Sequence, residues 1–107
     1  MSIIWSDGAM SDWYDIARYI AVEFGRKAFE DFDKATDEAE KQIALFPAGG
    51  TPIQTRKHKE LGLRFVLIRK LSKMIYHVDG DRIIIDVIWD TRQSPKRLAN
   101  RIANLPL

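Results

Sequence analysis

The chain has no cysteine, which removes disulfide scaffolds, thiolate nucleophiles and cysteine zinc sites together. Its two histidines, His58 and His77, stand far apart and do not make a metal set, so no metal and no cofactor is expected. No apolar run exceeds strand length, which argues against a membrane span. Ala48-Gly49-Gly50-Thr51 lacks the lysine and the spacing of a phosphate-binding loop, and no Ser-His-acid constellation stands out. The opening, Met1 to Gly8, has no basic stretch followed by an apolar one, so a secretory signal is not expected and the reading is a cytoplasmic protein. There is no internal repeat and no low-complexity tract.

What remains is a globular balance, with 46% hydrophobic and 30% charged residues. That is too apolar for a disordered chain. At 107 residues it makes one domain, read as spanning 1–107. The net charge is only +2, but it is unevenly spread. Residues 1–46 hold 10 acids and 5 bases, net −5, whereas residues 47–107 hold 12 bases and 5 acids, net +7. Such asymmetry points to a basic face that meets a polyanion or an acidic partner, or to charged helix faces and a basic sheet rim that simply differ.

Ser2 to Ser6 reads as a short first strand. Ala9, Trp13, Ile16, Ile20 and Phe24 then recur at helical spacing, and Gly25 supplies a stop. Phe29, Phe32, Thr36, Ala39, Ile43 and Phe46 repeat the pattern over Arg26 to Phe46. The two helices are expected to form an antiparallel hairpin, ended by Pro47-Ala48-Gly49-Gly50-Thr51-Pro52. After the basic loop Arg56-Lys57-His58-Lys59 come three strands, Leu63–Arg69, Lys73–Val78 and Arg82–Trp89, the last two flanking an Asp79-Gly80 turn signal. Ser94-Pro95 opens a final short helix with an apolar stripe of Leu98, Ile102 and Leu105. The expected fold is α+β, in the order β-α-α-β-β-β(-α), with the helical hairpin packed on a small antiparallel sheet. The opposite sheet face is left open, either to solvent or to a partner.

Particular segments carry a family likeness over nearly the whole chain. These are Ile3-Ile4-Trp5-Ser6 with Ala9, Phe46-Pro47, Leu61-Gly62-Leu63-Arg64, Met74-Ile75-Tyr76-His77-Val78, Asp81-Arg82-Ile83 and Asp90-Thr91-Arg92-Gln93-Ser94-Pro95. In this order and spacing they resemble the RelE/ParE superfamily of toxins from type II toxin-antitoxin systems, with the ParE-like branch favoured. The resemblance implies a small toxin held neutral by a cognate antitoxin, the two forming a hetero-oligomer. It offers two mechanisms. RelE-like members cleave mRNA in the ribosome, whereas ParE-like members act on DNA gyrase and block replication.

Cleavage through a 2′-hydroxyl needs a proton acceptor, a proton donor and cations to offset charge on the phosphate. Arg64, Lys73 and Arg92, with His58 recruited from its loop, are the candidates if the chain is a nuclease. After Arg92, however, there is neither Tyr nor His, so the acid or base expected by the resemblance near the carboxyl end is missing. His77 and Tyr76 read as packed strand residues, and His58 as a solvated loop residue. Arg92 has two readings, a contact to phosphate or an acidic surface, or a structural pair with Asp90 or the last helix. Trp5, Trp13 and Trp89 read chiefly as packing aromatics. The candidate surface for target or antitoxin comprises Arg64, Arg69, Lys73, Trp89, Arg92 and Arg97. The favoured reading is a ParE-like toxin that binds gyrase. The alternative is a RelE-like ribosome-dependent endoribonuclease.

Overall fold

The computed structural model describes all 107 residues. The element order is β1 (Ser2–Trp5), α1 (Asp7–Phe24), α2 (Arg26–Leu45), β2 (Thr51–Pro52), β3 (Arg64–Ile68), β4 (Ser72–Asp79), β5 (Arg82–Asp90) and α3 (Pro95–Ala103), with single 3-10 turns at Pro47–Gly49 and Lys59–Leu61.

Local chemistry sets the helix ends. Ser6 caps α1 by accepting the amide of Ala9 at 3.0 Å, one of the donors a helix start leaves unpaired. Gly25, at φ 91°, donates to the carbonyl of Ala21 and accepts the amide of Phe29. It therefore ends α1 and begins α2 in a conformation that L side chains resist. Trp13 Nε1 donates to Thr36 Oγ1 at 2.9 Å and fastens the two helices midway. The ring of Trp13 also stacks on Phe32, with centroids 5.7 Å apart.

The sheet order is β1-β5-β4-β3-β2. The meander β3-β4-β5 is antiparallel as expected, but β1 pairs parallel to β5, Ser2 opposite Arg82 through Trp5 opposite Ile85, so the sheet is mixed. A strand followed directly by a helical hairpin reaches the sheet from one end, and the meander has already set the direction of β5. The hairpin loop also lies one residue later than the Asp79-Gly80 signal suggests. Asp79 is paired with Arg82, and the loop is Gly80-Asp81 with Gly80 at φ 63°, which is glycine at the first loop position.

One sheet face packs on the helical hairpin. Phe32, Ala39 and Ile43 of α2, with Ala9 and Ala17 of α1, meet Val66, Ile68, Met74, Tyr76, Ile83, Ile85 and Ile88. Fully burying an aliphatic or Phe side chain contributes about 1.5–3 kcal/mol, so this layer dominates the stability. The apolar helical stripes overrun the sheet at both ends. Phe24 is 64% and Phe46 67% exposed, although the periodicity assigns both to the core.

The opposite face is not open. Ile53 and Leu61 from the loop and Leu98, Ile102 and Leu105 from the terminal segment cover Leu63, Ile75, Val87 and Trp89, forming a second small core. The apolar character of both faces of β5 is thus explained within the chain.

Candidate interaction surface

The sheet pleat decides which candidate residues can act together. Arg64 is opposite Tyr76, and Val66 opposite Met74, so Arg64 shares the helix-facing side with those core residues. Lys73 is opposite Leu67 and Trp89, on the other side, because successive side chains alternate. Arg92 follows Asp90, which pairs with Ser72 four positions along β4 from Tyr76. Four strand residues span roughly 13 Å. Arg64, Lys73 and Arg92 therefore do not converge on one phosphate, and His58 stands apart in its loop.

Each of these cations already has an occupation. Arg64 Nη1 donates to the carbonyl of Gly50 at 2.8 Å. The Tyr76 hydroxyl accepts the amide of Gly50 at 3.1 Å and donates to the carbonyl of Pro47 at 2.6 Å. Together they clamp the Pro47–Pro52 turn onto the sheet, and burial pushes the Tyr76 phenol above its ordinary pKa. Gly50 is required there, since a Cβ would stand 2.5 Å from the Tyr76 hydroxyl. Lys73 Nζ lies 4.3 Å from the centroid of Phe65. Arg69, in a left-handed turn at φ 56°, reaches Asp31 of α2 at 3.7 Å.

Arg92 is held by Asp90 through Nη2 to Oδ2 at 2.8 Å and Nε to Oδ1 at 3.1 Å, while the Arg92 amide donates to Oδ1 at 2.8 Å. Its guanidinium carbon lies 5.6 Å from the centroid of Tyr19 on α1. The hydrogen bonds from Arg92 hold the Asp90 carboxyl below its ordinary pKa, and the same pair raises that of Arg92. The structural pair with Asp90 is present, and the outer face of the exposed guanidinium still meets solvent. Arg97 is exposed on α3 with no acidic partner for its side chain. Trp89 is only 7% exposed and packs in the second core, so its indole is a packing group.

Neither histidine is a free surface group. His77 Nδ1 lies 2.6 Å from Asp86 Oδ2, and both side chains are buried. The hydrogen bond to Asp86 raises the His77 pKa against the opposing effect of burial. Asp86 reaches this position because the β4–β5 register shifts at Ile75/Tyr76, leaving Asp86 unpaired between Ile85 and Val87. His58 is half-buried at φ 60°, with Nε2 buried and unpartnered, rather than solvated as its basic loop suggests.

Sequence reasoning missed Asp12. Its carboxylate takes both guanidinium nitrogens of Arg101, at 2.8 and 2.9 Å, and the amide of Ile88 at 3.1 Å. β1 ends at Trp5, so the edge of β5 beyond Ile85 has no strand beside it. Ser6 and Asp12 take over its backbone groups, and Arg101 ties α3 to α1 across that edge. Asp12 is one of four acids on α1, with Asp7, Asp15 and Glu23, and nothing in its spacing sets it apart from the others.

Between the helical hairpin and the β3–β4 turn lies a groove of about 730 Å³ with Ile20, Phe24 and Leu71 in its walls and Arg69 and Lys70 on its rim. It continues past Tyr19 toward Asp90 and Arg92. No three His, Asp or Glu residues stand close enough to hold a metal ion, and no helix is long and apolar enough to cross a membrane.

A helical hairpin on a five-stranded mixed sheet is a fold this chain shares with solved toxin structures. One, titled "Chromosomal ParDE TA system from P. aeruginosa", superposes with a TM-score of 0.68 at 20% identity, covering 84% of this chain and 95% of that one. Another, a YoeB/ParE toxin from Agrobacterium tumefaciens, gives 0.55 at 13% identity, covering 84% and 98%. No curated protein matches the sequence. Residues 3–95 match the family described as ParE toxin of the type II toxin-antitoxin system parDE. The chain belongs to the ParE toxin family.

Proposed function

We propose that this chain is a ParE-like toxin that arrests replication by binding DNA gyrase, acts in the cytoplasm, and is neutralised by a cognate antitoxin. The family match over residues 3–95 carries the reading. Geometry supports binding over cutting, because Arg64, Lys73, Arg92 and His58 lie on different faces and ends of the sheet. A nuclease would need its acid, base and cations around one phosphate.

The antitoxin is read as an amphipathic segment lying in the groove between the hairpin and the β3–β4 turn. Phe24 and Leu71, 64% and 52% exposed, are apolar anchors there, and Arg69, Lys70 and Arg92 meet its acids. Arg64, Lys73 and Arg97, also candidates from the sequence, lie outside this groove and have no part in it.

The decisive experiment induces the toxin without its antitoxin and follows thymidine and methionine incorporation together. DNA synthesis is expected to stop first, and purified gyrase to lose supercoiling activity when the chain is added. Prompt arrest of protein synthesis with site-specific mRNA cuts would establish the RelE-like alternative instead.

A further inference from the structure

Most of the chain's arginines are engaged by acids or backbone, and among the cations without an ion pair, which include Arg18, Lys34, Lys41, Lys59 and Lys70, four others lie on the 53–61 loop and the start of α3. Arg56 and Lys57 line one wall of a groove of about 560 Å³, whose other wall is α3. Lys96 and Arg97 open that helix. None of the four makes an ion pair, whereas Arg26, Lys27, Arg69, Arg82, Arg92 and Arg101 all do. Between Ile53 and Leu61 three bases meet one acid, Glu60, and α3 carries three bases and no acid. The loop and helix are held together by Ile53 against Leu98, Ile102 and Leu105, so the cations are presented by a packed unit.

We propose that this surface binds the phosphate backbone of duplex DNA without reading sequence. Its composition separates it from a protein-docking site. The large exposed apolar side chains of the chain lie mainly on the hairpin, β1 and the meander, and within residues 53–61 and 94–106 there is none, Leu107 at the end of the chain being the nearest in sequence. Protein interfaces depend on buried apolar or aromatic anchors, whereas phosphate contacts need only cations and polar donors. Single-stranded nucleic acid is held largely by stacking on exposed aromatics, and neither segment contains Phe, Tyr or Trp, while the His58 ring is half-buried. Half of the cations lie in α3, beyond residue 95 where the family match ends. The inference rests on the reading of a toxin acting at a DNA-bound machine, and it adds a direct grip on that machine's DNA.

The test is fluorescence anisotropy of a labelled random-sequence duplex titrated with the full chain, with no gyrase present. Four phosphate contacts predict a slope of roughly −3.6 in log K against log salt, or about 150-fold weaker binding on a fourfold rise in salt. The combined substitution Arg56→Gln, Lys57→Gln, Lys96→Gln should leave one contact and only about a 3–4-fold salt effect. Arg26→Gln with Lys27→Gln, which removes two cations from the hairpin, should leave binding unchanged. Circular dichroism confirms that each variant is folded. No binding at low salt, equal binding by the triple variant, or tighter binding of a single-stranded RNA of equal length would each overturn the proposal. Absence of duplex binding by a parent chain that still inhibits purified gyrase would refute the DNA contact while leaving the gyrase reading standing.

Discussion

Replacing Asp12 by Ala should destabilise this protein far more than an ordinary surface substitution, which stays within about 0.5 kcal/mol. The carboxylate serves three donors, two from Arg101 and one from the Ile88 amide. Its removal strands a guanidinium whose side chain is only 31% exposed and leaves an edge amide of β5 without an acceptor. Hydrogen bonds to charged groups contribute about 1.5–3 kcal/mol, and breaking a buried pair from one side costs about 3–5 kcal/mol. Partial exposure puts the expected loss at roughly 2–4 kcal/mol. For a domain of this size that lowers the thermal midpoint by about 10–20 °C. Arg101→Met should cost less, about 1–2 kcal/mol, because the carboxylate keeps the Ile88 amide. Asp12→Asn should fall between them. Urea denaturation of the single and double variants gives the coupling directly. A coupling energy near zero, or an Asp12→Ala variant within about 0.5 kcal/mol of the parent, would refute the claim that this pair locks α3 over the sheet edge.

Four further outcomes follow from the same physics. His77 has its pKa raised in the fold by Asp86, so its stabilisation is complete below the unfolded value of about 6.5 and is lost as pH rises through the raised folded value. Urea midpoints should fall across that window in the parent and stay flat in His77→Gln, and an imidazole titrating by NMR at or below about 6.5 would contradict the assignment. Tyr76→Phe should cost about 1–3 kcal/mol by unpairing Gly50 and Pro47, while Gly50→Ala should cost about 1–3 kcal/mol by crowding the hydroxyl; combining them should cost less than the sum, and strict additivity would argue against the close approach. Trp89→Ala should unfold or nearly unfold the chain, losing about 3–5 kcal/mol, so loss of toxicity with a native melting curve would mean that the indole is a contact after all. Arg92→Ala should leave the melting curve in place and weaken growth arrest, and unaltered arrest would remove Arg92 from the functional surface.

The elements governed by neighbours along the chain were legible in advance. The helical periods, Gly25 between the helices, the Ser94-Pro95 helix start and the three meander strands each depend on residues within about one turn or one hairpin. Misplacements occurred where a local pattern outran its tertiary support. Phe24 and Phe46 keep helical spacing, but the sheet beneath them has ended. The candidate cations were named correctly as types, yet nothing in their spacing says that Arg64 points into the helix side and Lys73 away from it. That depends on strand phase, and a one-residue change in register reverses it.

The sequence by itself determined the order of elements, the αα-hairpin, the antiparallel meander and the membership written in segments such as Asp90 to Pro95. These follow from propensity, period and short connections, all of them local. Only the tertiary structure decided that β1 runs parallel to β5, that α3 and the 53–61 loop close the second face, that a bulge delivers Asp86 to His77, and that Asp12 joins Arg101 across 89 residues. Each of these depends on which surfaces must be hidden and which backbone groups are left unpaired once the chain has collapsed. The absent cysteines excluded chemistries at the outset, and the juxtaposition of the loop cations with those of α3 became visible only once the fold had packed the two segments together.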